Sequence, residues 1–164
     1  MDFYKDLLVP RKQDFSKTFL KMCLIALAAT IIVWSLILLG SLAAIVIIGI
    51  IYFTWYIIKY FDIEYEYIVT NGELDVDIIY GKKTRKRLGT ANSKNIEILA
   101  PYTDDVKING EIKKKFDASS GIKENKKYYV IFNHREHGRT LIIFEPTTEM
   151  LENIKFYCRS KVTI

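Results

Sequence analysis

The hydrophobic positions of the chain follow two patterns that change near residue 61. From Met22 to Ile58 there are 37 consecutive residues without an Asp, Glu, Lys, Arg or His. One helix of that length would extend about 55 Å, whereas the hydrocarbon core of a bilayer is about 30 Å thick. The Leu39-Gly40-Ser41 sequence is the best place for a break. The run therefore predicts a transmembrane hairpin over residues 19–61, with helices at about 19–38 and 42–61.

Charged and aromatic residues at the ends of this run predict its topology. Basic residues precede the run and Lys59 closes it, so the positive-inside rule predicts a multi-pass protein of the cell membrane with both termini in the cytoplasm. Aromatic rings favour the bilayer interface. The predicted interface anchors are Phe15, Phe19, Trp34, Trp55, Tyr56 and Tyr60. Because neither span contains an ionisable group, the pattern indicates an anchor rather than an ion pathway or an intramembrane catalytic site.

Residues 1–18 form a predicted cytoplasmic segment before the first span. Phe3, Tyr4, Leu7 and Leu8 fall on one helical face, and Pro10 ends the pattern. We therefore expect a short interfacial helix over residues 2–9, and a frayed terminus is the alternative.

After the second span the pattern changes to alternation, which is typical of a half-buried strand. Two alternating runs flank Asn71-Gly72, the strongest short signal for a β-hairpin. A two-residue turn predicts one core face, made of Tyr65, Tyr67, Val69, Leu74, Val76 and Ile78. The opposite face carries Glu64, Glu66, Asp75 and Asp77.

A second turn at Gly81 leads into a basic strand. A three-residue loop there predicts that Arg85 lies opposite Asp77 and that Arg87 lies opposite Asp75, which would offset the like charges of Glu66 and Asp77.

Further strands are predicted at 95–100, 113–118, 127–133 and 140–145, with a polar stretch around Asp104 to Gly110. Pro146-Thr147-Thr148 then opens a C-terminal amphipathic helix. The order of elements predicts an α+β fold, in which residues 62–164 form a small antiparallel β barrel or sheet with a capping helix.

Several phrases of the chain carry a resemblance to a known family. They are EYEYIVTNGELD, the following Tyr80-Gly81-Lys82-Lys83, IEILAPY, DASSG and FEP. The chain resembles a bacterial family of short membrane proteins in which two transmembrane helices precede a PH-like domain. The resemblance implies a PH-like antiparallel barrel closed by the C-terminal helix, and it implies no particular activity.

The net charge of +5 suggests one candidate contact surface. It is the basic run 82–87, comprising Lys82, Lys83, Arg85, Lys86 and Arg87. Near a membrane such a run indicates contact with anionic lipid or a partner rather than with nucleic acid. The alternative is internal pairing with Asp75 and Asp77.

Other residues suggest little chemistry. His134 and His137, in a predicted loop, could supply only half of a metal site. The four carboxylates of the first hairpin could also suggest a metal site, but adjacent basic residues argue against it. The pattern at residues 117–121 favours a turn over a phosphate site. Cys158 is expected in the core. We expect no catalytic residues, no metal and no cofactor.

These observations predict a membrane-anchored, non-enzymatic interaction module. Its PH-like domain would bind a protein partner or a second copy at the cytoplasmic face. The alternative is a sensor of anionic lipid head groups or a small ligand through residues 82–87.

Overall fold

A computed structural model describes residues 3–13, 15–103, 105–106 and 108–163. The chain divides into two compact units. The helical unit comprises Gln13–Ile63 together with Tyr80–Lys83. The sheet unit comprises the residues up to Lys12, Glu64–Ile79 and the residues from Thr84 onward.

The apolar run forms one long helical stretch in two joined pieces. Helix α1 spans Phe15–Leu39 and helix α2 spans Ala43–Lys59, with a 3₁₀ turn at Gly40–Leu42 between them. Gly40 has a φ of +53°, a conformation that glycine adopts without steric cost, and the α-helix is interrupted at this residue. The 45-residue stretch has a window with a mean hydropathy of 2.8, and it is long and apolar enough to cross a membrane.

The first sheet has four strands in chain order. They are β1 (Tyr4–Pro10), β2 (Ile63–Thr70), β3 (Glu73–Tyr80) and β4 (Thr84–Ala91). The Asn71-Gly72 hairpin is confirmed, because both turn residues have positive φ angles of 48° and 82°, as a primed turn requires. All six residues of the predicted core face are buried.

Strand β1 corrects the prediction of an interfacial helix at residues 2–9. It runs antiparallel to β2, with Tyr4 opposite Thr70 and Pro10 opposite Glu64. Pairing with β2 satisfies backbone groups, whereas an isolated helix of this length is unstable in water. The segment before the apolar run is thus part of the sheet unit.

The second sheet contains β5 (Ile96–Pro101), β6 (Lys114–Asp117), β7 (Tyr128–His134) and β8 (Gly138–Phe144). Its order is β5-β7-β8-β6. The predicted β7–β8 hairpin is confirmed, but β6 pairs parallel to β8, against the all-antiparallel prediction. Within the described part of the chain, the eight strands form two sheets and not a closed barrel.

Both faces of the second sheet are covered. Tyr67 of the first sheet and Phe144 of β8 meet edge to face, with ring centroids 5.6 Å apart. On the other face Val106, Ile108 and Ile112 pack against Tyr129, Ile131, Leu141 and Ile143. The stretch predicted to be polar therefore supplies apolar cover, although Asp104 and Lys107 lie outside the described residues.

The last helix, α3 (Thr148–Tyr157), begins as predicted. The Thr147 hydroxyl accepts a hydrogen bond from the Met150 N–H at 3.4 Å. Its apolar face buries Met150, Leu151 and Ile154, and Cys158 just after it is buried, as predicted.

Candidate functional site

The structure divides the basic run 82–87 between two environments. Arg85 and Arg87 contact carboxylates of the first sheet, whereas Lys82 and Lys83 lie in the segment that belongs to the helical unit. Lys86 is exposed on β4. The five residues of the predicted contact surface thus belong to two compact units, and their role as a contact surface stays a prediction.

We call the first environment the arginine–carboxylate network, defined as Glu66, Asp75, Asp77, Arg85 and Arg87. Arg87 Nη1 lies 2.6 Å from Asp75 Oδ1, and its Nε donates to Asp77. Arg85 Nη2 lies 2.7 Å from Glu66 Oε2, and its Nε lies 4.0 Å from Asp77 Oδ2. The predicted pairing of the acidic and basic strands is confirmed, with Glu66 as an additional partner of Arg85.

This network buries charge. Asp77 is 1% exposed and Glu66 is 7% exposed, although both lie on the face opposite the predicted core face. Partial burial by itself lowers the pKa of Arg87, but the hydrogen bond to Asp77 and the charge of Asp75 outweigh it and raise that pKa above its usual value. Both arginines of the network are therefore paired with carboxylates of the same sheet. Within the described ranges no group of three or more His, Cys, Asp or Glu side chains is placed to hold a metal ion.

The second environment lies at the C-terminal end of α2. We call it the aromatic–lysine cluster, defined as Trp55, Tyr56, Lys59, Tyr60, Tyr80 and Lys83. Lys59 Nζ lies 5.7 Å from the centroid of the Tyr56 ring and 5.6 Å from that of Tyr60. Lys83 Nζ lies 5.8 Å from the Trp55 ring, and the Tyr60 and Tyr80 centroids are 5.6 Å apart. These distances fit cation–π contacts.

Gly81 holds the β3–β4 turn against the end of α2. Its N–H donates to the Asp62 carbonyl oxygen at 2.8 Å, and its φ is +54°. A Cβ at this position would overlap the Lys59 side chain, so only glycine allows this approach. Lys82 beside it also has a positive φ, +57°.

Sequence reasoning missed two members of this cluster as contact residues, Lys59 and Tyr80. The i, i+3 spacing of Tyr56 and Lys59 at the end of the apolar run was an available signal. The contact with Tyr80 depends on how the turn folds back, which spacing does not reveal.

The remaining predicted anchors lie on the helix surface. Phe15, Phe19 and Trp34 are 85%, 58% and 62% exposed. Their position at a bilayer interface stays a prediction.

In two loops of the sheet unit, polar groups form hydrogen bonds with other groups of the same unit. His134 Nδ1 accepts from the backbone N–H groups of Glu136 and His137, and the two histidine rings stack at 4.7 Å. Asp117 Oδ1 accepts from the N–H and hydroxyl of Ser119, while the Ser120 N–H donates to Glu145 Oε1. Residues 117–121 thus form a turn whose donors are already engaged.

An open strand edge provides another surface. β1 is the terminal strand of its sheet, and Tyr4 and Leu8 are 65% and 53% exposed. A shallow groove beside it is lined by Leu7, Leu8 and Pro10 of β1 and by Ile122 and Pro146. Unpaired strand edges readily accept another strand.

Comparison with known proteins identifies a family for the whole chain. A family model described as Bacterial PH-like domain (DUF6106) matches residues 1–164. Neither the curated proteins nor the solved structures include a match to the chain.

Proposed function

Because the chain belongs to the bacterial PH-like domain family, we propose that it is a membrane-anchored, non-enzymatic interaction module. In this proposal α1 and α2 form a transmembrane hairpin. The sheet unit lies at the cytoplasmic face and binds a second copy of the chain through β1.

The pairing of β1 with β2 carries the anchoring part of the proposal. These strands flank the apolar stretch on its two sides, at Tyr4–Pro10 and Ile63–Thr70, yet they belong to one sheet. In the proposal the stretch therefore leaves and re-enters the same compartment, with an even number of crossings. A 45-residue apolar stretch broken at Gly40 supplies two crossings.

Contacts within the helical unit support the same topology. Leu27 and Ile31 of α1 line one groove together with Val46, Ile50 and Phe53 of α2. At the ends of the two helices Lys21 Nζ lies 2.8 Å from Asp62 Oδ1. Basic residues at both ends of the stretch favour the cytoplasmic side.

Cysteine labelling in intact cells tests this topology. In a variant with Cys23→Ala and Cys158→Ala, we expect Ser41→Cys to react with a membrane-impermeant maleimide added outside. Lys123→Cys, on the exposed surface of the sheet unit, should react only after lysis. Labelling of both positions from outside, or of Ser41→Cys only after lysis, would contradict the hairpin.

The edge of β1 supports self-association. Copies anchored in one bilayer have the same orientation, and a twofold axis normal to the membrane brings identical edges together in an antiparallel pair. Such pairing would join two four-stranded sheets through backbone hydrogen bonds. Exposed Tyr4 and Leu8 would be covered in the pair.

Crosslinking tests the dimer. In the cysteine-free background, Asp6→Cys near the middle of β1 should form a disulfide-linked dimer in native membranes, whereas Glu152→Cys on the exposed side of α3 should not. Adding Leu8→Lys should reduce the Asp6→Cys dimer at least several-fold, because charged side chains blunt strand edges. Equal crosslinking with and without Leu8→Lys, or none at Asp6→Cys, would refute self-association through β1.

A further inference from the structure

We propose that the aromatic–lysine cluster is a binding site for the phosphate of an anionic lipid head group, with Lys59 and Lys83 as its two cationic ligands. This inference rests on the proposed membrane anchoring. It replaces the predicted use of the whole basic run 82–87 with two lysines, one of which lies outside that run.

The charges of Lys59 and Lys83 are available for an anion. Their contacts in the described chain are with the faces of Trp55, Tyr56 and Tyr60. An aromatic face orients an ammonium group but leaves its formal charge in place. Arg85 and Arg87 differ in this respect, because buried carboxylates neutralise them.

The nearby carboxylate is engaged elsewhere. Asp62 Oδ1 accepts from Lys21 Nζ at 2.8 Å and from Gln13 Nε2 at 2.5 Å. The acidic group next to the cluster is thus offset by Lys21, and the cluster retains a positive charge.

Backbone contacts bring the segments that carry the two lysines together. Lys59 ends α2, and Lys83 follows a turn whose Gly81 packs on the Lys59 side chain and donates to the Asp62 carbonyl. Two cations from separate segments are therefore held at one end of the helix. Ammonium groups form charge-assisted hydrogen bonds with phosphate oxygens, and in the proposal both lysines donate to one phosphate group.

The surrounding rings specify a lipid rather than a soluble anion. Tyrosine and tryptophan side chains prefer the level of the head groups, where an apolar body and a polar edge are both satisfied. Three such rings contact the lysines at the end of the apolar stretch, and Tyr80 packs against one of them, Tyr60. The phosphate available at that depth belongs to a phospholipid.

Lipid selectivity of the full chain tests the site. The protein would be reconstituted into nanodiscs with equal amounts of phosphatidylcholine and phosphatidylglycerol and then transferred to mild detergent, and the retained lipids would be quantified by mass spectrometry. We expect phosphatidylglycerol to be enriched. Lys59→Gln and Lys83→Gln should each lower that enrichment about fivefold, which corresponds to about 1 kcal/mol per basic residue near a charged bilayer.

Matched variants distinguish lipid binding at the cluster from nonspecific attraction of the lipid to any basic residue. Lys86→Gln lies in the same basic run but outside the cluster, and Lys94→Gln is an exposed lysine of the sheet unit. Both should keep the wild-type enrichment. An equal loss in Lys86→Gln and Lys83→Gln, or no loss in Lys59→Gln and Lys83→Gln, would overturn the site.

Two further measurements distinguish the remaining outcomes. Inorganic phosphate added during the detergent step should leave the enrichment unchanged, and displacement of the lipid by phosphate would identify a soluble anion as the ligand instead. Resistance to alkaline extraction from membranes reports anchoring separately. A chain that resists extraction but shows no lipid preference would refute the lipid site alone, whereas an extractable chain would refute the anchoring on which it rests.

Discussion

Replacing Arg87 by alanine should destabilise the first sheet by about 2 to 3 kcal/mol. Arg87 contacts both Asp75 and Asp77, and Asp77 is 1% exposed. Removing one partner of a buried ion pair leaves an uncompensated charge, which typically costs about 3 to 5 kcal/mol. We expect a cost at or somewhat below the lower limit of that range because Arg87 itself is half-exposed. Hydrogen exchange of β2–β4 peptides in the full chain would measure the local free energy of opening.

Two further variants test whether the destabilisation by Arg87→Ala comes from the buried ion pair. Lys86→Ala removes a neighbouring exposed cation and should change the opening free energy by less than about 0.5 kcal/mol. Arg87→Met combined with Asp77→Leu removes both charges and should recover most of the loss, since an apolar pair can replace a buried ion pair. If Arg87→Ala matched Lys86→Ala, or if the double variant were less stable than Arg87→Ala, the network would not stabilise the sheet in this way.

Features coded by short-range chemistry could be predicted from the sequence. Asn71-Gly72 fixes a turn by its own conformational preference, and the turn then fixes which residues of β2 and β3 face the core. The next turn, at Gly81, brings Arg87 of β4 to Asp75 of β3. Thr147 caps α3 through a hydrogen bond within one helical turn. Each of these features depends on residues close together in the chain.

Strand β1 could not be predicted because its partner is distant. Tyr4 pairs with Thr70 across the whole apolar stretch. Over seven residues, the apolar positions Tyr4, Leu7 and Leu8 fit a helical face as well as a strand, so local periodicity did not decide between them. The parallel direction of β6 could not be predicted either, because the alternation of apolar and polar residues is the same in parallel and antiparallel strand pairs.

The candidate site could be predicted only in part. Composition identified residues 82–87, but their separation depends on positive φ angles at Gly81 and Lys82 and on packing against Lys59. Those contacts turn Lys83 toward Trp55, while Arg85 and Arg87 reach the carboxylates. Charge counting therefore combined two groups of residues that have different contacts.

Replacing Tyr67 by alanine should destabilise the sheet unit by about 3 to 5 kcal/mol, the usual cost of truncating a buried aromatic residue. Tyr67 is fully buried, packs edge to face on Phe144, and donates its hydroxyl proton to the Ala118 carbonyl. Tyr67→Phe keeps the ring but leaves that carbonyl without its donor, and should cost about 1 to 3 kcal/mol. Thermal unfolding followed by circular dichroism would measure both changes, with Tyr157→Phe as an exposed control.

The difference between wild type and Tyr67→Phe should also depend on pH. Burial raises the pKa of Tyr67, with smaller contributions from the charges of Glu145 and Asp117. A folded-state pKa above the unfolded value means that the stabilisation is complete below the unfolded pKa, about 10, and declines as the pH rises above it. The stability advantage of wild type should therefore be constant from pH 7 to about pH 9 and shrink above about pH 10. A constant advantage through about pH 11, in melts that remain reversible, would show that the phenol is not held neutral by burial.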